Sequence, residues 1–217
     1  MTARIAVLAS GRGSNLQAII DAIAAGTLDA EVIGVLSDKP DASALLKVAP
    51  ERRWARSPKA FADRAAFDAA LGDALAGFAP DWIVCAGYMR ILGEAFVQRF
   101  SGRLINIHPS LLPKYKGLHT HARALEAGDA EAGASVHFVV PELDAGTVLA
   151  QAHVPVQAGD TPEALAQRVL AVEHPLLIAS LRWLVADRVA ERHGQLQVDG
   201  NPLFSPLRLD CAGELNA

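Results

Sequence analysis

The sequence predicts an α/β fold: a mainly parallel sheet with helices on both faces and an antiparallel C-terminal extension. Short apolar runs rich in β-branched residues recur at 4–9, 31–37, 81–86, 103–108 and 134–140. Most are separated by stretches with helical spacing, which is the alternation of a βαβ chain. The runs are continuous rather than alternating, as expected of strands covered on both faces and joined by right-handed crossovers.

Taken in order, the strand at 4–9 runs into "SGRGSNLQAII" and a helix over 15–25. The strand at 31–37 precedes a short helical candidate at 43–49, and Trp54 marks a short strand. Phe61, Ala65, Phe67, Leu71, Leu75 and Phe78 then lie near one face of a helix over 61–78. After the strands at 81–86 and 103–108 comes a proline-containing loop over 109–120. Strands at 134–140 and 147–156 flank the turn "PELDAG", an antiparallel addition. Thr161 followed by Pro162 is a helix-start signal, and apolar spacing continues past Pro175, where a kink is expected. The tail from Gln195 reads as a hairpin around "DGNP". One domain over 1–217 is expected.

Composition narrows the function. With 217 residues, 51% of them hydrophobic, the chain can bury a substantial core. A net charge of −4 with scattered basic residues argues against a nucleic-acid footprint. Cys85 and Cys211 lie in an apolar run and a polar tail, so free thiols in the cytoplasm are expected, with no disulfide. The N-terminal apolar run is too short for a signal peptide, and the apolar stretch 174–190 carries Arg182, Asp187 and Arg188, so no membrane span is expected.

Two stretches carry chemistry. In "SGRGSNLQAII", Gly11 and Gly13 permit a tight turn at a strand's carboxyl end, and Ser14 to Gln17 fits a capping box opening a helix. Free N–H groups there favour an anion. Leu16 stands where a dinucleotide fingerprint has glycine or alanine, so a single phosphate fits better than NAD. In "INIHPSLLPKYKG", strand alternation puts Asn106 and His108 on one face, with Pro109 and Pro113 stiffening the loop beyond. An amide and an imidazole together can stabilise an oxyanion and move protons. A carboxylate partner is required, and Asp144 in "PELDAG" is the candidate. The bland alternatives are a hydrogen-bonded core histidine and an ordinary turn aspartate. A zinc site from His108, His119, His121 and Asp144 is not expected. His119 and His121, two apart at a helix start, diverge, and neither H-E-x-x-H nor a cysteine pair is present. Lys114 and Lys116 read as solvated loop charges.

These motifs, with "AGYMRIL", "INIHPSLLPKYKGLHTH", "SVHFVV", "ELDAG", "QAHVPV" and "EH" in this order, resemble the phosphoribosylglycinamide formyltransferase family over nearly the whole chain. The resemblance implies a Rossmann-like fold in which 1–100 forms a phosphate-binding half and 101–217 a catalytic and folate-site half. It implies formyl transfer from 10-formyltetrahydrofolate to the glycinamide amine, without a metal. Asn106, His108 and Asp144 match the catalytic set, with Asp144 expected to raise the pKa of His108. Gly13, Ser14 and Asn15 match the ribonucleotide phosphate site, and Glu173 a carboxylate contacting the same substrate. Arg64, Met89, Arg90, Ile91, Leu92, Asn106, Val140, Pro141, Glu142, Leu143 and Asp144 match the folate site. The partners implied are these small molecules, with no nucleic acid and no membrane, in a monomer or homodimer. Lys116, Ala145 and Thr147, and Leu177 and Ile178 after "EH", depart from the family pattern.

Rival readings are weaker. A methionyl-tRNA formyltransferase is expected to carry a C-terminal tRNA-binding domain, and a formyltetrahydrofolate hydrolase a regulatory domain before the glycine turn. An NAD-dependent oxidoreductase is disfavoured by Leu16. A non-catalytic nucleotide-binding module would leave Asn106, His108 and Asp144 without a purpose.

Overall fold

A computed structural model describes residues 2–192 and 194–216. The chain forms two compact units, Met1–Asn106 and Ile107–Ala217, in a mainly parallel α/β architecture with helices flanking the sheet and a small antiparallel sheet near the C-terminus.

The first unit runs β1 (Ala3–Leu8), α1 (Ser14–Ala24), β2 (Ala30–Ser37), β3 (Arg53–Ala55), α2 (Arg64–Phe78), β4 (Trp82–Cys85), α3 (Glu94–Arg99) and into β5 (Leu104–His108). Its strands are ordered β5-β4-β1-β2-β3, and every pairing is parallel. Ile5, Ala6, Val7 and Leu8 are each fully buried. Successive strand residues face opposite sides, so β1 is covered on both faces, which is why its sequence does not alternate. Leu8 pairs with Leu36 and with Cys85, and Cys85 with Asn106. The carboxyl ends of four strands therefore finish level, where ligands of open α/β sheets bind.

Three local expectations are corrected. Gly13, not Ser14, occupies the N-cap of α1, in the left-handed region at φ 72, and no side chain caps the helix. The capping box is absent because the helix starts one residue early, leaving Ser14 inside it. The 43–49 candidate is a 3-10 helix, Ser43–Lys47. The 61–78 helix starts at Arg64, where Asp63 accepts the Ala66 N–H at 2.8 Å. Phe61 stays outside and meets Phe67 edge to face, ring centroids 5.3 Å apart.

The second unit continues with α4 (Thr120–Glu126), β6 (Glu131–Phe138), β7 (Val148–Pro155) and α5 (Pro162–Val185). Then come β8 (Val189–Arg192), β9 (Gln195–Val198), β10 (Asn201–Leu203), β11 (Leu207–Leu209) and β12 (Leu215–Asn216). β6 and β7 pair antiparallel, β7 and β11 parallel, and β11 and β12 antiparallel. The short strands β8, β9 and β10 form the separate antiparallel sheet, with β9 and β10 as the expected hairpin. Helix α5 starts as its sequence dictates: Thr161 caps it, Pro162 opens it, and it continues through Pro175 without interruption. By length and composition α5 could cross a membrane. It packs instead against β6 and β7 through a buried stripe that includes Leu165, Val169, Leu176 and Leu177.

Candidate active site

The chemistry gathers in the second unit around Asp144. A short closed loop delivers this residue: the Phe138 N–H donates to the Thr147 carbonyl at 2.9 Å, and a Cβ at Gly146 would collide with the Phe138 carbonyl oxygen. Asp144 sits in the left-handed region at φ 47, a conformation aspartate tolerates better than most residues. Its side chain is 9% exposed, and Oδ2 accepts the Gly117 N–H at 2.9 Å.

Two imidazoles bracket the carboxylate. His108 Nδ1 lies 3.4 Å from Oδ2, and His137 Nε2 lies 3.5 Å from Oδ1. Each ring turns its other nitrogen to a carbonyl: His108 Nε2 to Tyr115 at 3.0 Å, His137 Nδ1 to Phe138 at 2.9 Å. Carbonyl and carboxylate oxygens only accept, so a proton on any of these four ring nitrogens has an acceptor within reach. A further proton arriving at either ring would be paired with the carboxylate at once.

Burial dominates His108 and lowers its pKa below the ordinary imidazole value; the Tyr115 carbonyl and the Asp144 charge push the other way without prevailing. Asp144 thus raises the His108 pKa as expected, and burial, the larger influence, lowers it. For Asp144 itself, burial raises the pKa, but the His137 contact, the Gly117 N–H and the His108 ring together outweigh it and hold the carboxyl below its usual value. His121 is also lowered, by burial and then by His108.

Asn106 ends the first unit and shares β5 with His108, two positions on, so strand alternation gives the two one face. Lys116 pairs with Glu142 at 3.1 Å. In the loop before Asp144, Val140, Pro141, Glu142 and Leu143 are all exposed. Glu173 lies on α5, half-buried.

In the first unit, the glycine turn presents the start of α1 with Ser14 exposed and Asn15 buried. Gly13 admits no side chain, since a Cβ would fall 2.8 Å from that of Ala44. Met89 and Ile91 are exposed at 67% and 52%, an apolar surface, while Leu92 is buried. Arg90 lies over the Phe67 ring, 5.3 Å from its centroid, and Arg64 approaches Asp68 at 3.6 Å.

The sequence reading missed His137, Ser10, Asp38 and Asp68. His137 carried a signal, a lone imidazole in the apolar strand "SVHFVV" shortly before the Asp144 turn. The others carried none in their neighbourhoods.

An imidazole held against a buried carboxylate suits proton transfer to and from an amine, and the class is that of the formyltransferases. A profile described as Formyl transferase matches residues 3–181. The phosphoribosylglycinamide formyltransferase of Escherichia coli is 47% identical over 201 residues, covering 92% of this chain and 95% of that one. A solved phosphoribosylglycinamide formyltransferase from Coxiella burnetii, in complex with CHES, superposes with a TM-score of 0.89 at 45% identity, over 94% of this chain and 96% of that one. The chain belongs to the phosphoribosylglycinamide formyltransferase family. A formyltetrahydrofolate deformylase from Pseudomonas syringae shares the fold at a TM-score of 0.82 and 27% identity, with 91% of this chain and 66% of that chain covered.

Proposed function

We propose that this enzyme transfers the formyl group of 10-formyltetrahydrofolate to the amine of 5-phosphoribosylglycinamide, giving N-formylglycinamide ribonucleotide and tetrahydrofolate in purine synthesis. The observation that carries the reading is His108 Nδ1 held 3.4 Å from the Asp144 carboxylate in a buried site.

The amine attacks the formyl carbon, a C–N bond forms, and the carbonyl oxygen becomes an oxyanion that the Asn106 amide stabilises. The amine must lose a proton, and N10 of the folate must gain one as its bond to the formyl carbon breaks. Neutral His108 suits the first step as a base. The proton settles on Nδ1, directly or through water, and Asp144 stabilises the imidazolium, whose charge then also steadies the oxyanion. Return of that proton to N10 completes collapse. No atom changes oxidation state, so no redox cofactor enters the proposal, and none of the steps calls for a metal.

Gly13, Ser14 and Asn15 take the phosphate and Glu173 the same substrate. Arg64, the 89–92 segment, Asn106 and the 140–144 loop take the folate, with exposed Met89 and Ile91 suited to the flat pterin. Absorbance-monitored turnover of 10-formyltetrahydrofolate, with and without glycinamide ribonucleotide, tests the reading. Loss of formylfolate only with the ribonucleotide is expected. Loss that ignores it would assign the chain to hydrolysis, the second reading, which the fold shared with the deformylase favours.

A further inference from the structure

The loop between β4 and α3 is held at both ends by residues distant in sequence. At its start, Ser10 donates its backbone N–H to the Gly87 carbonyl at 3.1 Å. The Ser10 hydroxyl accepts the Met89 N–H at 2.9 Å and donates to Asp38 Oδ1 at 2.6 Å. Both side chains are buried, 4% exposed for Ser10 and 8% for Asp38. At its far end, buried Asp68 accepts the Gly93 N–H at 2.8 Å, and a Cβ at Gly93 would fall 2.8 Å from the Asp68 carboxylate. Among the described residues, the N–H groups of Arg90, Ile91 and Leu92 between these two points make no hydrogen bond to protein.

We propose that Ser10 and Asp38 are positioning residues for the folate, fixing the 87–93 loop so that the backbone edges of Arg90, Ile91 and Leu92 face the ligand already shaped. The inference rests on the folate reading above. A serine hydroxyl has one proton to give, and its rotor would otherwise be free. Asp38 takes that proton and so turns the oxygen's lone pairs towards the Met89 N–H. The Met89 N–H is thereby engaged, so Met89 meets the ligand through its side chain. Three consecutive residues with unengaged N–H groups suit a heteroaromatic ring edged with acceptors, and a loop ordered beforehand loses less entropy on binding. Ser10 also precedes the glycine turn, so one hydroxyl links the segments assigned to both substrates.

The test measures binding of a non-reactive deazafolate analogue and of glycinamide ribonucleotide separately by calorimetry, with amide exchange at Met89 followed by NMR. Ser10→Ala is expected to weaken the analogue about tenfold, keep the ribonucleotide within about twofold, and deprotect the Met89 amide. Asp38→Asn keeps an acceptor for the hydroxyl and is expected to bind the analogue like the parent, whereas Asp38→Ala follows Ser10→Ala. Should Asp38→Ala fail to fold, the Ser10→Ala and Asp38→Asn pair still decides. Equal weakening of both ligands, unchanged analogue binding in Ser10→Ala, or loss in Asp38→Asn equal to that in Ser10→Ala would overturn the positioning role while leaving the folate reading intact. A parent protein that binds no analogue would remove the folate reading and this inference with it.

Discussion

In the function proposed above, the glycine turn with the 87–93 loop, and the cluster around Asp144, offer the substrates different materials. Gly13 to Asn15 and Arg90 to Leu92 present backbone N–H groups, which do not titrate and whose aim depends on φ, ψ and a few buried anchors. His108, His137 and Asp144 present three ionisable side chains, whose value depends on where one proton sits. The first region resists changes of pH and most side-chain substitutions but fails when the chain path changes. The second tolerates little change of side chain and responds to every charge nearby.

The widest gap between the two is expected from side-chain substitution. His108→Ala and Asp144→Asn should each lower turnover by about 10²–10⁴-fold, the usual weight of a positioned proton carrier. Circular dichroism should remain that of the parent. Ser14→Ala, which leaves the backbone N–H groups in place, should keep turnover within about tenfold. Rates in folded His108→Ala near those of the parent would remove the imidazole from the mechanism.

Next in size is a change of chain path. Gly13→Ala places a Cβ where Ala44 already sits and holds alanine at φ 72. The conformation alone costs roughly 1–2 kcal/mol. The expected outcome is a lowered melting temperature and a raised KM for glycinamide ribonucleotide, with the folate KM less affected. An unchanged ribonucleotide KM would detach the turn from that substrate.

What could be read in the sequence follows the same division. β1 and β4 were legible because burial on both faces leaves an uninterrupted apolar run, and Asn106 with His108 because strand alternation is a rule of geometry. Asp144 was legible as a carboxylate in the turn "PELDAG" between the next two strands. The sign of the His108 shift was not, because burial outweighs the Asp144 charge and burial belongs to the fold. The Ser10 links to Asp38 and Met89 span 28 and 79 residues, beyond any local pattern. The capping box was misread because Ser14 and Gln17 have the right identities while Gly13, by turning left-handed, takes the cap position first.

A third prediction separates the regions by pH. Burial lowers the pKa of His108, His121 and His174, so the unfolded chain, with imidazoles near 6.5, binds more protons in the window below that value. Stability from these groups is complete above about pH 6.5 and is lost as pH falls through their folded values. Melting temperatures should therefore drop between about pH 7.5 and pH 5.5. NMR titration should find the His108 midpoint below the ordinary value, and lower still in Asp144→Asn. A His108 midpoint above about 6.5 in the unliganded protein would reverse the order of proton steps proposed here.

The smallest effect is expected where the Asp144 loop meets solvent. Lys116 and Glu142 stand 3.1 Å apart, but their side chains are 36% and 76% exposed. An exposed pair of this kind contributes at most about 1 kcal/mol, because water screens the attraction and two long side chains must be ordered. Lys116→Ala should thus leave turnover within about twofold at ordinary ionic strength, and added salt should erase even that difference. The Lys116 carbonyl, held by Arg123 at 2.7 Å, is untouched by the substitution, so the path of the loop that brings Gly117 to Asp144 is preserved. A larger, salt-insensitive loss would mean that the Lys116 ammonium meets the substrate rather than Glu142. The charge that departs from the family pattern would then belong with His108 and Asp144 among the side chains that the reaction uses.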